Sequence, residues 1–357
     1  MESSLSDAVT VIIPTCNRPK YLKRSLDYWG RTDFNVLVAD GGVERYDGKI
    51  PPNISYFYDN LSSPGERWLN SVQKVNTRYV VLCADDDFLT VRGLHACVAF
   101  LEGHSDYVSA QGHAILFKIK DRENISIEAL NAFMVGHKID GATAKERLRQ
   151  LFNEYIYQIY SVYHTPILQQ ALETCKDQKN GSYIELSAAL IPSIFGKHKV
   201  VPVFYSAREH LVGASSSTIE ALRFDILNLE GLADYVQWRD KVALVYSDAE
   251  GVSLDKAVSI VENTFNRYCA WDLRVYPYRQ PLRMDVLPTS LSVLVKTKTL
   301  LRRMIGPVLS VRKNFFGGGR ASGKTTGVCD SPGFPWSDPE AASDWKQMVK
   351  IVNYHLK

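Results

Sequence analysis

No two cysteines in this chain form a C-x-x-C pair. The six present (Cys16, Cys83, Cys97, Cys175, Cys269 and Cys329) are scattered, several of them inside apolar runs. That usage speaks against a disulfide framework and for reduced, buried thiols in a cytoplasmic protein. Long apolar runs are missing too: no stretch reaches the ~18 uninterrupted apolar residues of a membrane-spanning helix. The opening MESSLSDA is acidic and polar and leads straight into a strand, so no signal peptide is expected. Nor is there an excess of one charge. Lys+Arg number 42 against 39 Asp+Glu, and the resulting +3 is too small to argue for nucleic acid as a partner. What is there is ordinary for a soluble globular protein: 357 residues, 45% hydrophobic and 23% charged. That length suits one large α/β domain with an appendage, or two domains.

The N-terminal third alternates between two periods. The runs AVTVIIP, FNVLVAD, ISYFY and RYVVLCA read as buried strands bounded by turn residues. Between them RPKYLKRSLDYW and PGERWLNSVQKV read as helices, the second opened by a capping box of Ser63 and Glu66 around Pro64. TVRGLHACVAFLEG is a third helix. Strand, helix, strand, helix predicts an α/β fold whose mostly parallel sheet is flanked by helices on both faces. Further on, strand character returns over Tyr107–Lys120, and ATAKERLRQLFNEY and TPILQQALETC read as helices. GSYIELSAALIPSIFGKHKVVPVFYSAREH reads as helix, turn at Gly196, strand and polar exit. The C-terminal region is mainly helical. The expected division is an α/β domain over 1–217, a helical extension over 218–280, and a last part over 281–357. That last part holds a basic amphipathic segment, a Gly/Pro-rich loop and a closing helix. Ser337 and Glu340 fit a capping box for this helix, whose apolar face is Trp345, Met348, Val349, Val352 and Leu356.

The stretch YVVLCADDDFL drives an apolar run into Asp85, Asp86 and Asp87. Two like charges ~4 Å apart repel by roughly 4 kcal/mol at an effective dielectric of 20, so something positive belongs beside them. Pro14-Thr15 and Asp40-Gly41-Gly42 occupy other strand ends of the same expected sheet, where ligands of such sheets gather.

TVIIPTCNRPKYLKRSLDYW, then VLVADGG, then GERWLNSVQKVNTRYVVLCADDDFL together resemble the nucleotide-sugar half of a GT-A glycosyltransferase of the family-two, inverting kind. The likeness covers roughly residues 9–215 and includes the order and spacing of four elements. It implies that Thr15 and Arg18 lie by the nucleotide, with Pro14 and Asn17 in the same segment, and that Asp40 and Gly41 lie by the base. Arg67, Asp85, Asp86 and Arg208 complete the nucleotide-sugar-binding set. It also implies that the acidic triplet supplies a D-x-D motif for a divalent metal, Mn²⁺ or Mg²⁺. The chemistry agrees: a sugar leaves a nucleoside diphosphate only if the developing charge is neutralised, and a hard cation bridging carboxylate and phosphate oxygens does this. The plainer alternative is a solvated acidic turn. Many relatives read Asp-x-Asp-Asp, and here Ala84 stands where their first aspartate would. Asp85 and Asp87 make the D-x-D by spacing, and Asp86 can share either role.

Related enzymes carry an acidic pair eleven and twelve residues before a glycine in the same strand–helix setting. Counting back from Gly196 gives Glu185, with Ile184 in place of the other acid. Inverting transfer needs a general base for the acceptor hydroxyl, and Glu185 is the catalytic candidate. Its alternative is structural, because Ser182-x-x-Glu185 is also a capping box. Arg208 and His210 match a basic residue and a histidine that follow the next strand in relatives. His210 is either a third metal ligand beside Asp87 and Asp85, a diphosphate contact, or a structural histidine.

Two later segments invite readings of their own. Gly318–Thr325, GGRASGKT, fits the P-loop pattern, but TGVCDSPGFPW behind it cannot form the helix a P-loop needs, so a flexible basic loop is expected. Residues 286–315 mix apolar residues with Lys and Arg. They suit either the surface of an anionic bilayer, at the inner face of the plasma membrane, or a helix packed on the catalytic domain. The resemblance therefore implies a metal-dependent transferase that uses a nucleotide sugar, a UDP-sugar foremost, and a glycan or lipid-linked glycan acceptor, in surface polysaccharide synthesis. Two rivals stand beside it. One is an inactive glycan- or nucleotide-binding module on the same fold, suggested by Ile184. The other is a sugar nucleotidyltransferase, which would want glycines that PTCNRPK lacks.

Overall fold

The computed structural model of the chain describes residues 5–119, 125–130, 137–153, 155–210, 221–276 and 338–356. The basic segment 286–315, the P-loop-like Gly318–Thr325 and Ser337 lie outside the described residues.

Strands β1 (Val9–Thr15), β2 (Asn35–Asp40), β3 (Ile54–Tyr58) and β4 (Tyr79–Leu82) lie in the order β3-β2-β1-β4, all parallel. Their period of two divides the side chains between two apolar layers. Val9, Val11, Ile13, Val36, Val38, Tyr79 and Val81 enter one cluster. Ile12, Leu37, Ala39, Val80 and Leu82 enter the other. Burial on both faces is why β1, β2 and β4 read as apolar runs, while β3, at the sheet edge, buries only Ile54 fully and exposes Ser55. Helices α1 (Pro19–Trp29) and α3 (Val91–Gly103) cover the first face through Leu22, Leu26, Trp29, Leu94 and Leu101. Helix α2 (Pro64–Val72) covers the second through Leu69 and Val72. Its start is the expected capping box: Ser63 Oγ accepts from the Glu66 N–H at 3.2 Å, and the Glu66 carboxylate accepts from the Ser63 N–H at 2.9 Å.

The rest of the sheet is mixed. Strand β9 (Val162–His164) lies antiparallel between β4 and β6 (Tyr107–Ile119), and β10 (Lys197–Glu209) runs parallel to β6. Strands β5 (Phe88–Leu89) and β8 (Lys138–Ile139) pair antiparallel with β10, and β7 (Ile125–Leu130) pairs antiparallel with β6. The described sheet of ten strands is thus parallel where strands and helices alternate early in the chain and mixed beyond them.

Helices α4 (Ala144–Leu151), α5 (Thr165–Cys175) and α6 (Ser182–Phe195) cover the second face. Helix α6 carries Pro192 in its interior. A proline there removes the N–H that would bond the carbonyl four residues back, that of Ala188. The Tyr163 hydroxyl sits 2.9 Å from that carbonyl oxygen and shares its one proton between it and the Gln158 carbonyl. Helices α7 (Leu222–Asp225), α8 (Leu229–Glu250) and α9 (Leu254–Val275) extend the same apolar layer, burying Leu222, Trp238, Val242, Val261 and Phe265. The closing helix α10 (Pro339–His355) returns to the first face. Trp345, Met348 and Val352 are buried there as expected, joined by Ala341 and Ile351, with Val349 and Leu356 partly buried. Its cap corrects the expectation. Asp338 is the N-cap and accepts from the Glu340 N–H at 3.0 Å. An aspartate supplies the same acceptor as a serine, plus a charge that favours the helix N-terminus. Among the described residues no helix is long and apolar enough to cross a membrane.

Candidate active site

Strands β1 and β2 end in register, Thr15 opposite Asp40. Strand β4 ends beside them, and the Cys83 N–H still bonds the Ile12 carbonyl at 2.9 Å before the aspartate turn begins. The Thr15 hydroxyl donates to Asp85 Oδ2 at 2.6 Å. Arg18 spreads its guanidinium across two carboxylates, Nη1 at 2.8 Å from Asp85 Oδ1 and Nη2 at 2.6 Å from Asp86 Oδ2. The positive group that the triplet requires is, on this side, Arg18. Asn17 makes the approach possible. Its φ of 55° is the left-handed turn that asparagine tolerates better than most residues, and it swings the chain from β1 into α1. Its Oδ1 accepts from the Val43 N–H at 2.7 Å and ties this turn to the loop after β2. Pro14 lies within β1, opposite Ala39.

Asp40 is held at both oxygens, by the Gly42 N–H at 2.7 Å and the Tyr56 hydroxyl at 2.5 Å. Burial and the Asp40 carboxylate push the Tyr56 phenol up to about 12, so it remains a donor. The buried Arg67 guanidinium bonds the Asp59 and Ser62 carbonyls at 3.2 Å each and lies directly on Gly41. A Cβ at position 41 would fall 2.0 Å from Arg67 Cζ, so only glycine allows this contact.

Asp87 faces the other way. Its Oδ2 accepts from the Tyr160 hydroxyl at 2.6 Å and its Oδ1 from the Glu209 N–H at 2.7 Å. Arg208 Nε stands 3.7 Å from the same carboxylate, and its guanidinium lies over the rings of Tyr160 (4.9 Å) and Tyr157 (5.7 Å). Burial alone would lower the Arg208 pKa, but Tyr160, Asp87, Glu185 and Tyr157 together raise it, so it is a fixed cation between triplet and Glu185. Burial raises Asp85 to about 6, with Arg18 and Thr15 pulling against it. Burial and the Asp86 charge raise Asp87 to about 7, with Arg208, Tyr160 and the Glu209 N–H pulling against them.

Glu185 lies in the first turn of α6, half-buried, and its Oε1 accepts from the Tyr155 hydroxyl at 3.2 Å. The alternative capping role is not formed: Gly181 is the N-cap of α6, and Ser182 is already helical. Ile184 is 6% exposed and belongs to the second apolar layer, so the acid missing from the pair has become core. His210 is exposed, and its N–H bonds the Phe117 carbonyl at 2.7 Å. The structure does not gather it with Asp85 and Asp87: among the described residues no group of three or more His, Cys, Asp or Glu side chains is arranged to hold a metal ion. Both oxygens of Asp85 and of Asp87 are already engaged by Thr15, Arg18, Tyr160 and the Glu209 N–H, so a hard cation, which takes one or two carboxylates and completes its shell with phosphate oxygens, would share them with these partners. The raised pKa values of the two carboxylates are what such a cation would relieve.

The chain is similar to TarS. No protein-family model matches it. Among curated proteins it is similar to the poly(ribitol-phosphate) beta-N-acetylglucosaminyltransferase TarS of Staphylococcus aureus strains Mu50 (ATCC 700699) and MW2. The identity is 28% over 111 residues, 27% of this chain and 19% of that protein. The chain thus spans about a fifth of the length of the curated relatives it matches. Among solved structures, S. aureus TarS 1–349 in complex with UDP-GlcNAc superposes with a TM-score of 0.49 and 15% identity, over 78% of this chain and 79% of that one. The same protein with UDP gives 0.47 and 15%, over 77% and 75%.

Several site residues escape a reading of the sequence. Tyr155 closes the expected helix ATAKERLRQLFNEY, which the structure ends at Leu151, and Tyr160 lies in IYQIYS, where no period assigns it a face. Tyr56 reads as one more alternating strand residue, and Arg24 and Glu209 as surface charges of a helix and a strand end. The one available signal is density: three tyrosines within six residues, Tyr155, Tyr157 and Tyr160, beside a predicted site.

Proposed function

We propose that this chain is an inverting glycosyltransferase that moves a sugar from a nucleotide-sugar donor to a glycan or glycoconjugate acceptor, in the synthesis of a surface polysaccharide. The observation that carries the proposal is the meeting of two half-sites on one aspartate turn. Thr15 and Arg18 hold Asp85 and Asp86 from one side, while Tyr160, Glu209 and Arg208 hold Asp87 from the other. The similarity to a curated N-acetylglucosaminyltransferase supports it and makes UDP-GlcNAc the first donor to test.

On this reading Asp40, Gly41 and Arg67 receive the base, and Arg18 and Arg208 face the diphosphate. Asp87 and Asp85 would hold a Mg²⁺ or Mn²⁺ ion, which would supply positive charge for the leaving group. Glu185 takes the proton of the acceptor hydroxyl as its oxygen attacks the sugar C1 from the face opposite the nucleotide. The C1–O bond to phosphate breaks, its electrons leave with the nucleoside diphosphate, and the anomeric configuration inverts. Tyr155 holds the Glu185 carboxylate toward this task. A lipid-linked acceptor reached at a membrane surface would give the basic segment 286–315 its use.

The test follows the products. With UDP-GlcNAc, Mn²⁺ and a panel of polyol-phosphate and glycan acceptors, release of UDP that depends on the acceptor is expected. Release of pyrophosphate in the presence of sugar phosphates and nucleoside triphosphates would instead identify a nucleotidyltransferase. UDP at a hundred times its dissociation constant should also stabilise the fold by ~2.7 kcal/mol. Stabilisation without any transfer would favour an inactive binding module, for which the buried Ile184 argues.

A further inference from the structure

Arg24 belongs to the buried side of α1 and is only 4% exposed. Its Nη2 lies 2.7 Å from Glu209 Oε2 and also donates to the main-chain carbonyl of Asp86 at 2.7 Å. The Glu209 side chain is equally secluded, 4% exposed. The main-chain N–H of the same Glu209 donates to Asp87 Oδ1. Together these contacts close a ring. It runs from Arg24 to the Asp86 carbonyl, along the turn to the Asp87 carboxylate, across to the Glu209 N–H, and back through the Glu209 carboxylate to Arg24. The Arg24 guanidinium is packed between the rings of Tyr21 and Phe88, at 5.1 Å and 5.2 Å from their centroids, which fixes it in place.

A buried ion pair is a poor way to gain stability. Two well-packed apolar residues of similar size usually serve as well or better, whereas loss of one charged partner is costly. What this pair does that an apolar pair cannot do is grip a main-chain carbonyl of the aspartate turn and the last residue of β10 at once. Arg208, the residue before Glu209, is the cation beside Asp87. Resting on the function proposed above, we infer that Arg24 and Glu209 are a positioning pair that locks the end of β10 onto the aspartate turn. The lock sets where Asp87 and Arg208 stand toward the donor's diphosphate. Neither residue touches donor or acceptor. Both act from behind the groups that do.

The experiment compares wild type, Arg24→Met and the double variant Arg24→Met/Glu209→Met. It reads the melting temperature without ligand, and the affinities for UDP and for UMP at one Mn²⁺ concentration. Arg24→Met should melt earlier, because it leaves the Glu209 carboxylate buried and unpaired. The double variant should recover most of that loss. Its affinity for UDP should fall about tenfold, as when a supporting partner of a ligand-holding group is removed. Its affinity for UMP, which has no second phosphate for Asp87 and Arg208 to address, should stay within about twofold. A double variant that binds UDP as wild type does overturns the proposal, as does one that loses UDP and UMP equally. If the double variant does not fold, Glu209→Gln decides by the same split, since it keeps the main-chain N–H and the shape and removes only the charge. A wild type that binds neither nucleotide refutes the proposed function itself and takes the pair's role with it. A wild type that binds UDP beside an indistinguishable variant refutes the pair alone.

Discussion

Asp85 and Asp87 stand two residues apart on one turn, yet they answer to different parts of the chain. Asp85 is held by Thr15 and Arg18, the residues at which β1 gives way to α1. Asp87 is held by Tyr160, from an irregular segment ahead of β9, and by Glu209 and Arg208 at the far end of β10. One neighbourhood is built from regular strand–helix units, at the ends of β1 and β4. The other is built from aromatic side chains and a strand end, and it leads through Arg208 toward Glu185. A turn of three aspartates is tolerable because its charges are shared out between two arginines, one on each side, and the neutral donors beside them.

If that division is functional, damage on the two sides should look different. Glu185→Gln should lower turnover by ~10² to 10⁴-fold, the usual loss of a general base, and leave UDP affinity almost untouched. Kinetics and calorimetry on one preparation check this, and equal losses in both would merge the two sides into one. Asp87→Ala should remove most of the Mn²⁺-dependent part of UDP affinity, ~10 to 100-fold, while Asp85→Ala removes less, because Arg18 still has Asp86 to hold. Equal effects of the two variants in a Mn²⁺ titration would erase the contrast drawn here. Gly41→Ala should leave the melting point nearly unchanged, since the clash falls on the movable end of Arg67. It should still weaken UDP binding by about tenfold through the displaced guanidinium, with turnover at saturating donor preserved.

The smallest effect lies away from both sides and serves as their control. His198 is buried at the start of β10, 2.9 Å from Ser109 Oγ, and burial with His137 nearby lowers its pKa from 6.5 to about 3. The unfolded chain therefore takes up a proton below about pH 6.5 that the folded chain refuses. The stability this group confers is complete above that pH and is lost as pH falls toward 3, by about 1.4 kcal/mol per unit at most. Denaturant unfolding of His198→Gln should show a shallower loss of stability between about pH 6 and pH 4 than wild type, with UDP affinity unchanged.

The contrast also explains how far the sequence could be read. Strands β1 to β4 and helices α1 to α3 follow from apolar period and caps, because burial on both faces leaves β1, β2 and β4 few polar residues to blur the pattern. Thr15 and Asp40 are legible as strand-end residues for the same reason, whereas Arg18, the N-cap of α1, is reached only through the resemblance to glycosyltransferases. Tyr155, Tyr160 and Glu209 are not, because their positions depend on β9 inserting antiparallel between β4 and β6, and no local period encodes that pairing. Arg24 is hidden differently. It sits in a helix rich in charge, where a buried arginine cannot be told from a solvated one until its partner is known. Glu185 could be read two ways from Ser182-x-x-Glu185, and only the start of α6 at Ser182, behind Gly181, decides against the cap.

The most direct test of the account is the configuration of the first sugar transferred. UDP-GlcNAc carries its sugar in the α configuration, and attack at C1 from the face opposite the nucleotide must invert it. Proton NMR of the product formed in the presence of Mn²⁺ and a competent acceptor is expected to show the large anomeric coupling of a β-linkage, with UDP released one for one. A small coupling, the mark of an α-linked product, would mean that configuration is retained and that Glu185 does not act as the base for a single displacement.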